Sequence, residues 1–565
     1  MRLEWSRNQM AFIFFAVMYW LGGMHLFMHN PGGSGFYLPF NMVGWLFASL
    51  MIGIGLWHIT LTRQLVVSGP QGWLWAGLAL MLVPLFTHAD VSFDAGSPRF
   101  LGIAGGLLLL FALTQLQWVR AQRLCLLYVL LGAVAIEALF ALVQYYLLTP
   151  GNWIGYNTII NRPYGIFQKD SVLSSFMALG ATIALFLLFA DELCRRGWRL
   201  LLALSVLGLA ALLIVVIQSR SGQGGLLLSS LILLPLLLWQ RGRVGWLACS
   251  VLLLGLLLGG LSFALFSQSR GLGSYIATID FRLLYWQHCL EMFWQYPLLG
   301  VGYGKFESAF VDSYYAIPVA ISGKEIIETN LDHPHNEILY WMVEGGLLAL
   351  CGLLAMLFGW VRMLMRARST MRLALLALPL PLFFHAMVEY PFYHSTAHWL
   401  ALIWLLWFTD AEAEQVRRIE VRQWLLIRCV ALLIPLLTVP FMLTGLHTAW
   451  LVTRFERGGL QQPELLERVI NRVPWSSRFW YDVMSSSLIL ALKTNNQTEL
   501  RAYVDWAREF VSLTPRANVY FNAALALDSL GQAEEARHWR AEGMRLFPAD
   551  PLFKRLTSGA VEPRS

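Results

Sequence analysis

Apolar windows of about twenty residues, the length of helix that crosses a hydrocarbon core, recur along most of this chain. They lie near 10–28, 39–59, 72–88, 100–118, 124–148, 172–190, 199–217, 222–239, 244–266, 337–361, 372–388, 395–409 and 424–446. A chain that is 57% hydrophobic and only 13% charged is not an ordinary soluble protein. The expected fold class is an all-α polytopic membrane protein with about 13 transmembrane helices. The 24 tryptophans suit the aromatic belts of a bilayer interface.

The basic residues set an orientation. Alternate connections carry Arg2 and Arg7; Arg63; Arg120 and Arg123; Arg195, Arg196 and Arg199; Arg241 and Arg243; Arg362, Arg366, Arg368 and Arg372; and Arg417, Arg418 and Arg422. The short connections between them hold only Arg99, Arg162, Lys169 and Arg220. By the positive-inside rule the first set is cytoplasmic, and an odd number of spans places the N-terminus inside and the C-terminal tail outside. Arg2 and Arg7 precede an apolar run without a small-residue cleavage site, which reads as a retained signal anchor. The six cysteines form no CxxC pair and no disulfide framework. A net charge of +7 here concerns orientation and phosphate-bearing ligands, and nothing resembles a nucleic-acid module.

Two regions are expected outside the membrane. The segment 267–336 includes Arg282 to Trp286 and the turn Pro297-Leu298-Leu299-Gly300-Val301-Gly302-Tyr303-Gly304. That turn lacks the βαβ context of a nucleotide fingerprint and is expected to bring backbone close to the membrane surface. The tail, 450–565, has amphipathic helical periodicity. Its 517–548 stretch is similar to a tetratricopeptide unit, with Tyr520, Ala524, Leu527, Gly531, Ala536 and Pro548 at that repeat's positions. A generic helical cap is the other reading. The expected domains are therefore 1–449, transmembrane and including the loop 267–336, and 450–565, a helical-repeat tail.

Chemistry-bearing residues concentrate in Asp332-His333-Pro334-His335-Asn336-Glu337, where the polar segment meets a new apolar span. Ionisable groups at such a boundary are costly unless used. Pro334 holds His333 extended and favours a helix start, so Asn336 to Gly346 is expected to form the first turns of a membrane helix with His335 at its mouth. An imidazole titrating near neutrality suits removal of a hydroxyl proton. Two other readings stay open: a capping turn without chemistry, and a metal site from Asp332, His333 and His335. No second cluster with ligand spacing accompanies the latter, so no metal and no cofactor are expected.

Three further outward clusters carry function-bearing types: Arg162 to Asp170 with Gln168, the hairpin Ser219-Arg220-Ser221-Gly222, and Arg282. Guanidinium groups near an outer surface match phosphate oxygens with paired hydrogen bonds. Against this, Arg220 also reads as an arginine snorkelling to lipid phosphate, and Arg282 as a solvated loop charge. His385 and Glu389, four residues apart, share a helix face, either for function or as a structural pair.

Taken in order, Gly-x-Phe-Gln, Ser-Arg-Ser-Gly, Arg-x-x-x-Trp, Pro-Leu-Leu-Gly-Val-Gly, the His-x-His-Asn-Glu run ending in Glu-Gly-Gly, and Val-Glu-Tyr-Pro resemble the O-antigen ligase/polymerase superfamily. Within it the chain most resembles the PglL-type protein O-oligosaccharyltransferases, or pilin glycosylation ligases. The resemblance implies transfer of an oligosaccharide from undecaprenyl pyrophosphate to Ser or Thr hydroxyls of a periplasmic or pilin protein, at the periplasmic face of a bacterial inner membrane. It implies His335 as the essential histidine, Arg220 and Arg282 as pyrophosphate arginines, and Gln168 as a functional glutamine. Tyr390 or Tyr393 matches a functional tyrosine, with His333 and Glu389 as further substrate contacts. Some members carry Asn shortly after the glutamine where this chain reads Lys169-Asp170, which leaves that stretch's role open. Arginines holding the leaving group would need no metal. An O-antigen ligase acting on lipid A core and a Wzy-type polymerase are the alternatives. A lipid-linked sugar transporter is the reading from another class; charge clustered at the outer ends of spans favours surface chemistry over it.

Overall fold

A computed structural model describes residues 5–87, 93–266, 272–323, 325–327 and 330–557. In chain order the helices begin with α1 (Arg7–Trp20), α2 (Pro39–Thr62), α3 (Gly69–Thr87), α4 (Phe93–Gln115), α5 (Arg120–Tyr146), α6 (Asp170–Ala190), α7 (Gly197–Ile217) and α8 (Arg220–Phe266). There follow α9 (Leu272–Gln295), α10 (Phe306–Tyr314), α11 (Val319–Ser322), α12 (Glu337–Arg366), α13 (Ser369–Ala377), α14 (Leu380–Ala386), α15 (Pro391–His394), α16 (Thr396–Ala411) and α17 (Trp424–Arg457). The tail holds α18 (Glu464–Glu467), α19 (Ser476–Thr494), α20 (Gln497–Leu513), α21 (Ala517–Ser529), α22 (Ala533–Leu546) and α23 (Pro551–Thr557).

The protein is an all-α polytopic membrane protein. Among the described residues nine helices are long and apolar enough to cross a membrane, or ten if α13 and α14, bent by 41° at their junction, form one span. The expected thirteen segments differ from this count for physical reasons. α1 has only 14 residues and α16 only 16. α8 is two helices that meet at a kink, with non-helical backbone at Arg241 and Gly242, so the two expected segments 222–239 and 244–266 enter this count as one element of 47 residues. One element has no counterpart in the sequence reading: β1 (Gln64–Val67) pairs antiparallel with β2 (Arg417–Glu420), Gln64 opposite Glu420.

By packing, the chain divides into two units. The first comprises Met1–Leu78, Arg99–Arg270 and Leu354–Ala449; the second comprises Ala79–Pro98, Gly271–Leu353 and Trp450–Ser565. The expected boundary at 449/450 followed the membrane; by packing, the tail belongs with the segment before α12.

At the centre of the first unit lies α6, buried from Ser171 to Ala190. A helix apolar on every side is a core helix, and its small residues let neighbours approach closely. A Cβ at Gly180 would stand 2.3 Å from Val134, and one at Gly222 would stand 2.0 Å from Ser174 Oγ. At one end of this unit the arginine-rich connections gather. Beyond the β1–β2 pair, Arg123 donates to Glu412 (3.0 Å), Arg366 to Gln415 Oε1 (3.1 Å), and Arg418 to Gln117 Oε1 (2.7 Å).

In the second unit α12 is broken at Gly346 (φ 62°, ψ −154°), where the Pro297–Gly304 turn docks. Val301 and Gly302 N–H groups donate to the Val343 and Glu344 carbonyls (2.9 and 3.0 Å), while Leu347 and Leu348 donate to Pro297 and Leu298 (2.8 and 3.4 Å). The buried Glu344 carboxylate accepts from the Gly304 and Phe306 N–H groups (2.9 and 3.3 Å). The turn's partner is thus backbone of α12. Only glycine permits the approach: a Cβ at Gly300 would lie 2.4 Å from the Glu344 carbonyl carbon, and one at Gly346 would lie 2.4 Å from that of Leu298. In the tail, Tyr520, Ala524, Leu527 and Ala536 are buried, and Gly531 (φ 77°) makes the turn between α21 and α22.

Candidate active-site residues

The second unit positions the histidine stretch. α12 begins at Glu337, and Asn336 caps it: its Oδ1 accepts from the Leu339 N–H (3.0 Å) and its carbonyl from the Tyr340 N–H (3.0 Å). Cap oxygens satisfy amides that have no partner within the helix. His335 stands immediately before the cap in the left-handed conformation (φ 53°), one that histidine adopts more readily than most residues. Its half-buried ring stacks on Tyr285 of α9, with centroids 6.4 Å apart and planes at 21°, and meets His333 edge-on at 4.4 Å.

His333 is buried, and its Nδ1 meets Asp332 Oδ1 at 2.6 Å. Trp286 donates its indole N–H to the Pro334 carbonyl (2.9 Å), clamping the turn between the two histidines. Arg282, half-buried, precedes Tyr285 by three residues and Trp286 by four, so all three occupy one side of α9. This gives the Arg-x-x-x-Trp spacing a physical reading: one helical turn carries the guanidinium and the residues that seat His335. Among the described residues no group of three or more His, Cys, Asp or Glu side chains is arranged to hold a metal ion.

The first unit assembles the other sequence candidates. Gln168 is in the left-handed conformation (φ 56°), and its amide donates to the Met28 carbonyl (3.2 Å). The loop before it is held by α5. Gln144 Oε1 accepts from the Tyr164 and Gly165 N–H groups (3.0 and 2.8 Å), and Glu137 accepts from Ile166 (3.2 Å). At Gly165 (φ 60°) a Cβ would stand 2.5 Å from Glu137 Oε2, which accounts for the glycine of Gly-x-Phe-Gln.

Lys169 and Asp170 both take part in this architecture. Lys169 Nζ lies 2.6 Å from Glu389 and over the Tyr390 ring, while Asp170 pairs with Arg162 at 2.7 Å. Arg162 also donates to the last carbonyl of α7, Ile217 (3.0 Å), and to that of Gln218 just beyond it (3.2 Å).

Arg220, half-buried, is the first residue of α8. Its neighbour Ser221 donates to the Ser171 carbonyl (2.9 Å), and Ser171 Oγ donates to Glu389 (3.3 Å). This unit therefore brings together Gln168, Arg220, Glu389, Tyr390 and Tyr393. The two tyrosines differ in surroundings: Tyr390 is buried, Tyr393 is 38% exposed.

The expected helix face shared by His385 and Glu389 is corrected, because α14 ends at Ala386. His385 Nδ1 meets Ser175 Oγ (2.7 Å), and Glu389 turns to Lys169 and Ser171. Sequence reasoning gave no role to Tyr285, Glu344 or Lys169. The helical spacing from Arg282 was the available signal for Tyr285, and proximity to the glycine turn's partner strand of sequence offered none for Glu344.

Two family models match the chain. One, described as O-antigen ligase, covers residues 205–354, which include Arg220, Arg282, His333 and His335. The other, described as virulence factor membrane-bound polymerase, C-terminal, covers residues 373–557, which include Glu389, Tyr390, Tyr393 and most of the tail. No curated protein matches the chain.

Proposed function

We propose, from its matches to the O-antigen ligase and membrane-bound polymerase family models, that this membrane protein transfers an oligosaccharide from undecaprenyl pyrophosphate to a hydroxyl acceptor. The acceptor in this reading is a Ser or Thr of a periplasmic or pilin protein, and the enzyme sits in the bacterial inner membrane with its active site outside. The observation that supports it most directly is His335, stacked on Tyr285 at the start of α12 with Arg282 one helical turn away on α9.

His335 takes the proton of the acceptor hydroxyl as that oxygen attacks the anomeric carbon. The bond from that carbon to the phosphate oxygen breaks, and lipid pyrophosphate leaves with the electron pair. Arg282 meets the charge growing on the phosphate, and fixed donors aimed at developing charge lower the barrier. A single displacement of this kind inverts the anomeric centre. Asp332 orients His333, which supports His335 in the turn. Arg220 is assigned to donor phosphate, and Gln168, Glu389, Tyr390 and Tyr393 to substrate contacts, each to be tested separately.

His335→Ala should abolish transfer in a reaction of purified chain, lipid-linked oligosaccharide and acceptor, with the protein still present in membranes at normal abundance. His333→Ala should be milder. Near wild-type transfer by His335→Ala would overturn the mechanism.

A second reading has a specific observation behind it, the match to a polymerase C-terminal region. A polymerase would use a second lipid-linked glycan as acceptor. Glycan lengthening in the absence of protein acceptor would favour it, and a mass increase of the protein acceptor would favour the first reading.

A further inference from the structure

The tail packs on the elements that seat His335. One apolar core takes in Tyr285 and Cys289 of α9, Phe306 and Phe310 of α10, and Tyr503 and Tyr520 of the tail. Within it α10 touches both supports of His335. Phe310 meets the edge of Tyr285, the ring under His335 (6.0 Å), and Phe306 meets Tyr340 in the first turn of α12 (5.3 Å).

The tail also fastens α10 at both ends through charge. Arg516, which caps the start of α21, pairs with Glu307 in the first turn of α10 and donates to its own Pro515 carbonyl (2.8 Å). Arg545 of α22 pairs with Asp312 and donates to the Tyr315 carbonyl (3.1 Å) at the other end. Glu307 is buried, and a buried carboxylate without a counter-ion is costly. Burial pushes its carboxyl above the usual range; Arg516 opposes the rise, and the charge of Asp332 adds to it. Asp332 is the carboxylate that holds His333, so the Arg516–Glu307 pair lies within electrostatic reach of the histidine turn.

We propose that Arg516 is a positioning residue for glycosyl transfer: by neutralising Glu307 it seats α10 against Tyr285 and Tyr340, so that the tail fixes His335 and governs the rate of chemistry. The inference rests on His335 acting as the base. It gives the tail a role different from acceptor capture, since the tail face that meets α10 is filled by this chain's own residues.

The test uses the full chain with undecaprenyl-pyrophosphate-linked oligosaccharide as donor and a serine-containing peptide as acceptor. Donor hydrolysis by water is followed in parallel. Arg516→Ala should lower kcat by about tenfold or more for transfer and hydrolysis alike, with peptide KM changed by less than about twofold. Arg516→Lys keeps the charge and should recover part of the rate. Adding Glu307→Gln to Arg516→Ala should recover more, because a neutral amide needs no counter-ion.

A raised peptide KM with unchanged kcat and hydrolysis would overturn the inference in favour of acceptor docking. Failure of both Lys and the double variant to recover rate would also overturn it. Should Arg516→Ala not accumulate, the Lys variant and the double variant carry the same comparison on kcat. His335→Ala is measured beside them. If it is inactive while Arg516→Ala is normal, only the present inference fails; if it remains fully active, the underlying reading fails whatever Arg516 does.

Discussion

Arg282 lies one helical turn ahead of the ring that supports His335, and a planar guanidinium there offers paired N–H donors that an ammonium lacks. Arg282→Lys keeps the charge but not the fork, so kcat/KM for the lipid donor should fall about tenfold to a hundredfold, the equivalent of ~1.5–3 kcal/mol for a hydrogen bond to a charged group. Arg220→Lys should fall similarly, with donor binding weakened in step; unchanged donor binding together with lost transfer would reassign either residue to a structural role. The histidine stretch was legible in the sequence because so many ionisable groups directly precede an apolar run, although Asn336, expected within the first turn, proves to be the cap of a helix that begins at Glu337. Tyr285 was not: its spacing from Arg282 puts it on the right side of α9, but no pattern within one segment says which ring a distant histidine will stack on. Lys169 and Glu389 were separately visible, while their pairing depends on how α6 and the α14–α15 link pack.

Between α17 and α19 stands a group the proposed chemistry does not use. Asp482 is buried, and among the described residues its Oδ2 has no hydrogen-bond partner. Burial pushes its carboxyl up to about 7, with repulsion from Glu456 adding to the rise and Arg478 opposing it. Arg478 is itself engaged by Glu456 at 2.5 and 3.1 Å. With a folded pKa above the unfolded one, the folded state holds the extra proton, so the stability this group contributes is present at low pH. It is lost as pH rises from about 4 to about 7. Asp482→Asn should flatten that part of the melting-temperature profile of the purified chain and raise Tm at pH 8 relative to wild type; an unchanged profile would show that Asp482 does not titrate in this range. At this scale the long apolar helices were the most legible elements, since their signal is local and additive. The β1–β2 pair was not, because four-residue strands in basic connections carry no alternating pattern to detect.

Across the whole molecule, the arginine-rich connections meet at one end of the first unit, as contacts among Arg123, Glu412, Arg366 and Gln415 show. Reporter fusions after Arg123, Arg243 and Arg422 should therefore read as one compartment, expected to be cytoplasmic, and fusions near Ser313 and at Ser565 as the other. A cytoplasmic reading at Ser565 would mean that one of the short helices, α1 or α16, does not cross. The packing of the tail with α9 and α10 lay beyond sequence reasoning, because the contacts join residues some two hundred positions apart and the amphipathic helices of the tail name no partner.

The break in α12 bears on how the protein is made. A helix entering hydrocarbon ordinarily satisfies its own backbone. Around Gly346 this one does not: the carbonyls of Val343 and Glu344 and the amides of Leu347 and Leu348 find their partners in the Pro297–Gly302 turn. That turn leaves the ribosome before the helix it completes. Insertion of α12 is thus finished only when an earlier-synthesised segment has already folded back to meet it, and a nascent chain halted between the two would carry half of a hydrogen-bonded joint with nothing to close it.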